Sequence, residues 1–227
     1  MEYSALKEKS NTLRISPKFI DTKLDEYILK FGNLQGCRES IKEAILIIIE
    51  CFGANGKLLI CGNGGSAADA DHITGELMKG FLKPRSIMKE FKSKMNKVVG
   101  HDISFLKELQ GGLPAINLCS NSALITAIAN DINSDVIFAQ QLLGLAEKKD
   151  VLLVISTSGC SKNIINAVLT AKLLDIKCIG LTGGNGGKLN ELCEILVKVP
   201  FLETARIQEN HVVVYHIICE LVEEYFY

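Results

Sequence analysis

Residues 57–81 read KLLICGNGGSAADADHITGELMKGF, and the rest of the chain is arranged around them. Leu58-Leu59-Ile60-Cys61 is a short apolar run and reads as a buried strand. Gly62-Asn63-Gly64-Gly65-Ser66 follows, a turn that needs the backbone freedom of glycine. Ala67 to His72 then holds good helix formers, with Ser66 placed to cap their start. A strand, a glycine turn and a helix N-terminus make an anion cradle, because free backbone N–H groups and the helix dipole face the turn. His72 and Glu76 are four apart, so a helix puts them on one face. Neither familiar nucleotide signature is present. There is no Gly-x-x-x-x-Gly-Lys-Ser/Thr, and Gly62-x-Gly64 lacks the third glycine of G-x-G-x-x-G. Glycine-rich junctions of this kind also occur with no ligand at all.

Length suits a single core-bearing domain: 227 residues, 48% hydrophobic and 22% charged. A formal net charge of −1 gives no global field to recruit nucleic acid or an anionic membrane. The eight cysteines lie mostly in apolar runs, without a C-x-x-C pair. They read as reduced core residues of a cytoplasmic protein. The N-terminus is too polar for a signal sequence. The longest strongly apolar run, Ala44 to Ile49, is far short of a membrane span.

In chain order, residues 1–20 read as a loose polar arm and 21–227 as one domain. Helices are expected over Asp21–Phe31 and Cys37–Phe52. Residues 82–112 form an insertion, of which 82–110 carries seven Lys/Arg against three Asp/Glu. It reads as two helical halves broken near Gly100, solvated and covering a sheet edge. A strand at Ala115–Cys119, helices at Asn121–Asn130 and Ser134–Leu145 and a strand at Val151–Ile155 follow. Ser156 to Ser161 is a second polar turn, whose hydroxyls and N–H groups suit a phosphate. Then come a helix at Lys162–Leu174, strands at Ile176–Leu181 and Ile195–Val199, and a long helix at Glu203–Tyr227. Apolar strands alternating with helices argue an α/β fold, a parallel sheet in a three-layer α/β/α sandwich. Ligands in such sheets sit beyond the strands' carboxyl ends, where both polar turns fall.

GNGGSAADADHITGEL, STSGCSKN, GLTGGNGG and TARIQENHVVVYH together resemble the sugar isomerase (SIS) fold, and within it the phosphoheptose isomerases. The resemblance runs from about Leu24 to Tyr227, without the insertion. It implies a flavodoxin-like, nucleotide-binding-type topology and an aldose–ketose isomerase that converts sedoheptulose 7-phosphate to D-glycero-D-manno-heptose 7-phosphate. It also implies a homotetramer with sites between subunits. Ser156, Thr157, Ser158 and Ser161 match the family's phosphate loop. Asn63, Gly64 and Ser66 match its first substrate loop, and Gln208 a glutamine near the reacting carbons. Glu76 and His216 match its acid/base pair. His72, Glu76, Gln208 and His216 match a zinc set found in some members. Asn121 stands where the family usually has an aspartate touching the sugar, and Lys79 near its usual arginine. Two other readings remain open: an isomerase of another sugar phosphate, and a non-catalytic sugar-phosphate sensor or replication regulator.

Overall fold

In the computed structural model, residues 17–87, 91, 94–95 and 100–227 are described. Among these residues, five strands carry the fold: β1 (Leu58–Gly62), β2 (Ala115–Asn117), β3 (Val151–Ile155), β4 (Lys177–Gly183) and β5 (Ile195–Val199). All pairings are parallel and the order is β2-β1-β3-β4-β5. The helices are α1 (Pro17–Lys30), α2 (Arg38–Gly53), α3 (Gly65–Met78), α4 (Ser122–Ile128), α5 (Ile137–Leu145), α6 (Lys162–Leu173) and α7 (Thr204–Phe226). β1 and β3 are buried along their whole length. That is why neither shows the apolar–polar alternation of a half-exposed strand.

Period-two alternation along the strands sorts their side chains into two cores. Leu58, Ile60, Leu153, Ile155, Ile179 and Leu181 face α1, α2, α3 and α7. Leu59, Cys61, Leu152, Val154 and Cys178 face α5 and α6. These are the three layers. The sheet order is the doubly wound order 2-1-3-4-5, with the topological switch between β1 and β3.

The elements differ from the sequence expectation at their ends. α1 begins at Pro17, four residues before the expected start, because proline is pre-set for a first helical turn. The polar arm otherwise lies outside the described residues. Gly64 caps α3, with φ +57°, and Ser66 is buried inside its first turn without capping it. β2 is three residues long, since Ser120 and Cys119 turn back onto Asn117. Asn121 does cap α4, its side-chain oxygen accepting from the Leu124 N–H at 3.1 Å. The helix expected at Ser134–Leu145 starts with a 3-10 turn, Ser134–Val136, and is α-helical only from Ile137.

The segment expected as an insertion, 82–112, departs further. Much of its first half lies outside the described residues. Its second half shows one 3-10 turn, Ser104–Lys107, rather than a helix. A bridge from Ser86 to Gln110 closes its base. Nor is all of it solvated: Arg85 is 1% exposed.

Candidate active site

β1 ends at Gly62 and β3 at Ile155, so both polar turns sit at the carboxyl edge of neighbouring strands. They are tied together. The Asn63 and Asn163 amides exchange hydrogen bonds of 2.9 and 2.8 Å. Gly62 admits no side chain, because a Cβ there would strike the Ser66 backbone.

The second turn docks on a third. Gly159 has φ +63°, and a Cβ there would meet the Gly186 carbonyl oxygen. The Leu189 N–H donates to the Gly159 carbonyl. Ser156 is buried, its N–H held by the Leu181 carbonyl at 3.0 Å, while Ser158 is exposed. The Ser161 hydroxyl makes no capping bond to α6, which leaves the first turn of that helix facing the loop. Hydroxyls, a left-handed glycine and a helix N-terminus together form an anion cradle.

α3 and α7 lie side by side and run the same way. Gln208 packs on Gly65 so closely that a Cβ at Gly65 would overlap its amide. One level further along both helices, His72 Nε2 lies 3.4 Å from His216 Nε2. The same nitrogen is 3.2 Å from Glu76 Oε1. Lys79 Nζ holds the other Glu76 oxygen at 3.0 Å. Phe81 lies against the His216 ring, with centroids 5.4 Å apart. Burial, then the neighbouring His72, lowers the pKa of His216, and Glu76 opposes that. His216 is therefore a neutral base at neutral pH.

Of the expected residues, the structure brings His72, Glu76 and His216 together. It puts Ser156, Thr157, Ser158 and Ser161 in one loop beside Asn63. Gln208 stands apart from the histidines, since Gly65 and His72 are separated by about 10 Å of helix rise. Asn121 is exposed at the head of α4, spent on its cap. Among the described residues, no group of three or more His, Cys, Asp or Glu forms a metal cage. His72 meets Glu76 and His216 pairwise, through one nitrogen. Those two spacings do match the edges of a zinc tetrahedron with bonds of about 2.0–2.1 Å.

Sequence reasoning missed Asp69, Tyr215, Asn163, Arg85 and Glu223. Tyr215 Oη is 2.9 Å from His72 Nδ1 and 3.4 Å from Asp69 Oδ1. Burial raises the pKa of both Asp69 and Tyr215. The spacing of Asp69 and His72, three apart on α3, was the available signal. Arg85 and Glu223, both buried, pair at 2.8 Å.

The SIS domain profile matches residues 33–111 and 98–183. A phosphoheptose isomerase of Nitratiruptor sp. is 41% identical over 189 residues, 83% of this chain and 88% of that one. The phosphoheptose isomerase of Helicobacter pylori strain 26695 is 38% identical over 194 residues, 86% of this chain and 88% of its own. This chain belongs to the SIS-domain phosphoheptose isomerase family. Solved members share its fold. The Neisseria gonorrhoeae phosphoheptose isomerase superimposes with a TM-score of 0.69 at 33% identity, covering 91% of this chain and 97% of that one. That of Francisella tularensis gives 0.71 at 33%, covering 90% and 96%. The SIS isomerase frame is thus present.

Proposed function

We propose that this protein isomerises sedoheptulose 7-phosphate to D-glycero-D-manno-heptose 7-phosphate. The observation that carries the proposal is the meeting of Glu76, His72 and His216 on two adjacent helices, one of which starts at the turn that Asn63 ties to the serine-rich loop. Family membership supplies the substrate class. Moving the carbonyl from C2 to C1 requires a base to take a proton from C1 and return it to C2. The proton on O1 must pass to O2 in the same cycle. Glu76 serves the carbon proton, with Lys79 Nζ 3.0 Å from its other oxygen. His216, neutral and 3.4 Å from His72, serves the oxygens. The Ser156–Ser161 loop holds the phosphate, and Asn63 with Ser66 shapes the first turn beneath the sugar.

Zinc fits the donors His72, Glu76 and His216, with Gln208 completing the set from another copy of the chain. When bound, it would polarise the carbonyl oxygen. Exposed apolar side chains support a homo-oligomer with shared sites, a tetramer in this reading: Ile132 is 60% and Leu143 62% exposed. All eight cysteines are free, which supports a reducing, cytoplasmic setting. No helix of the described residues is long and apolar enough to cross a membrane.

The test is incubation with sedoheptulose 7-phosphate, with and without zinc, followed by NMR. Turnover that disappears in Glu76→Gln and His216→Gln supports the assignment. Turnover of a different ketose phosphate in its place moves the substrate. Binding without turnover of any sugar phosphate makes the protein a sensor.

A further inference from the structure

We propose that Asp69 and Tyr215 are positioning residues that hold His72 as its Nδ1–H tautomer, with the Nε2 lone pair turned toward Glu76 and His216. This deepens the proposed function and rests on it for its catalytic meaning.

Hydrogen counting leads to the tautomer. Tyr215 is 2% exposed and its hydroxyl carries one hydrogen. Two groups compete for it: Asp69 Oδ1 at 3.4 Å and His72 Nδ1 at 2.9 Å. A carboxylate accepts only, whereas an imidazole nitrogen donates or accepts. Asp69 has no alternative donor among the described residues, and its Oδ2 is buried without any partner. Giving the hydroxyl hydrogen to His72 would leave the whole carboxylate bare, and a buried unpaired charge is costly. So the hydrogen goes to Asp69. The Tyr215 oxygen then accepts from Nδ1–H, the shorter of its two contacts. A neutral His72 with Nδ1–H has Nε2 bare.

That bare nitrogen is the one 3.2 Å from Glu76 Oε1 and 3.4 Å from His216 Nε2. Toward Glu76 it faces another acceptor, an apposition that a cation or a second proton between them relieves, and a proton there leaves Nδ1–H in place. Ring packing fixes its direction as well. His72 stands edge-on to Tyr215, centroids 5.3 Å apart, and edge-on to His216 at 4.9 Å. His72 is itself on the exposed side of α3, with 43% of its side chain open. Among the described residues only Tyr215 and His216 meet its ring nitrogens as hydrogen-bond partners, with Glu76 Oε1 at 3.2 Å. A ligand histidine whose other nitrogen is tied to a carboxylate is a more basic and better oriented donor. Here a tyrosine is interposed between the two.

The experiment uses the full-length, metal-free protein labelled with 15N-histidine. Four histidines keep the spectrum simple. His72 is assigned by its loss in His72→Gln, and spectra are taken above the histidine titration. Wild type is expected to show a protonated Nδ1 on His72. Tyr215→Phe removes the acceptor, so the tautomer should move to Nε2–H. Asp69→Asn is isosteric. Its amide can donate to the tyrosine oxygen, freeing the hydroxyl to donate to Nδ1, and should invert the tautomer with the phenol still in place. Zinc affinity, read by competition with a chromophoric chelator, should fall about 10–100-fold in both variants. An Nε2–H tautomer in wild type overturns the proposal. So does an unchanged tautomer and zinc affinity in Asp69→Asn, whatever Tyr215→Phe does to folding. The tautomer reading involves no sugar. A correct tautomer in a protein that turns over no heptose phosphate leaves the relay standing and removes only the assigned reaction.

Discussion

Glu76 is held by Lys79 on one oxygen, and His72 Nε2 lies 3.2 Å from the other. A single change tests it. Glu76→Gln keeps the shape and removes the base, and kcat should fall by about 10²–10⁴-fold, the usual worth of a positioned proton-transfer group. Phosphate-sugar binding, measured by calorimetry, should survive within a few-fold. If kcat stays within tenfold of wild type, Glu76 is not the base. Gly159 sets a different kind of limit. Its φ of +63° and its contact with the Gly186 carbonyl leave no place for a side chain. Gly159→Ala should cost about 1–3 kcal/mol of stability. The affinity for inorganic phosphate should fall with it, because the loop must lift from the Gly183–Gly187 turn. An unchanged melting temperature with normal phosphate binding would show that the loop does not need this left-handed residue.

At the scale of elements, the link between α3 and the insertion is fixed by α7. Glu223 accepts from the N–H groups of Phe81, Leu82 and Lys83 and from Arg85 Nε. Arg85 donates onward to the carbonyls of Leu77 and Glu76. Those hydrogen bonds lower the pKa of Glu223 against the opposing effect of burial. A buried pair broken on one side leaves the other charge uncompensated, at about 3–5 kcal/mol. Arg85→Met should lose that much in urea titration. Arg85→Met with Glu223→Met should lose less than the sum of the singles. Strict additivity would mean that the charges do not interact. The sign with pH follows from the depressed carboxyl: its contribution is whole above the unfolded carboxylate range near pH 4 and is lost as pH falls below that. None of this was legible beforehand. A run of basic residues reads as solvated surface, and Glu223 lies 138 positions from Arg85. By contrast, the β1–α3 and β3–α6 units were readable, because each is a local signal of apolar strand, turn residues and helix formers.

Across the whole molecule the same contrast holds. Layering follows from apolar strands alternating with helices, so a parallel sheet was visible in the sequence, whereas the strand order was not. The pairing of α3 with α7 was not, because it joins residues some 140 positions apart; without it His72, Glu76 and His216 were matched only by resemblance. His211 also lies on α7. It is 0% exposed, and neither ring nitrogen makes a hydrogen bond of normal geometry. Burial lowers its pKa from 6.5 to about 4, with the Thr182 backbone acting weakly the other way. The folded state thus keeps His211 neutral where the unfolded chain binds a proton. Between those two pKa values the unfolded chain holds more protons, so stability rises with pH and is whole above about 6.5. As pH falls from 6.5 to about 4 the molecule should lose about 3 kcal/mol through this one residue. His211→Leu removes the proton site and the unsatisfied nitrogens together. Its stability at pH 7 should be close to wild type, and its urea midpoint should fall less between pH 7 and pH 4.5. Equal losses in the two proteins over that range would show that His211 is not the group that weakens the fold in acid.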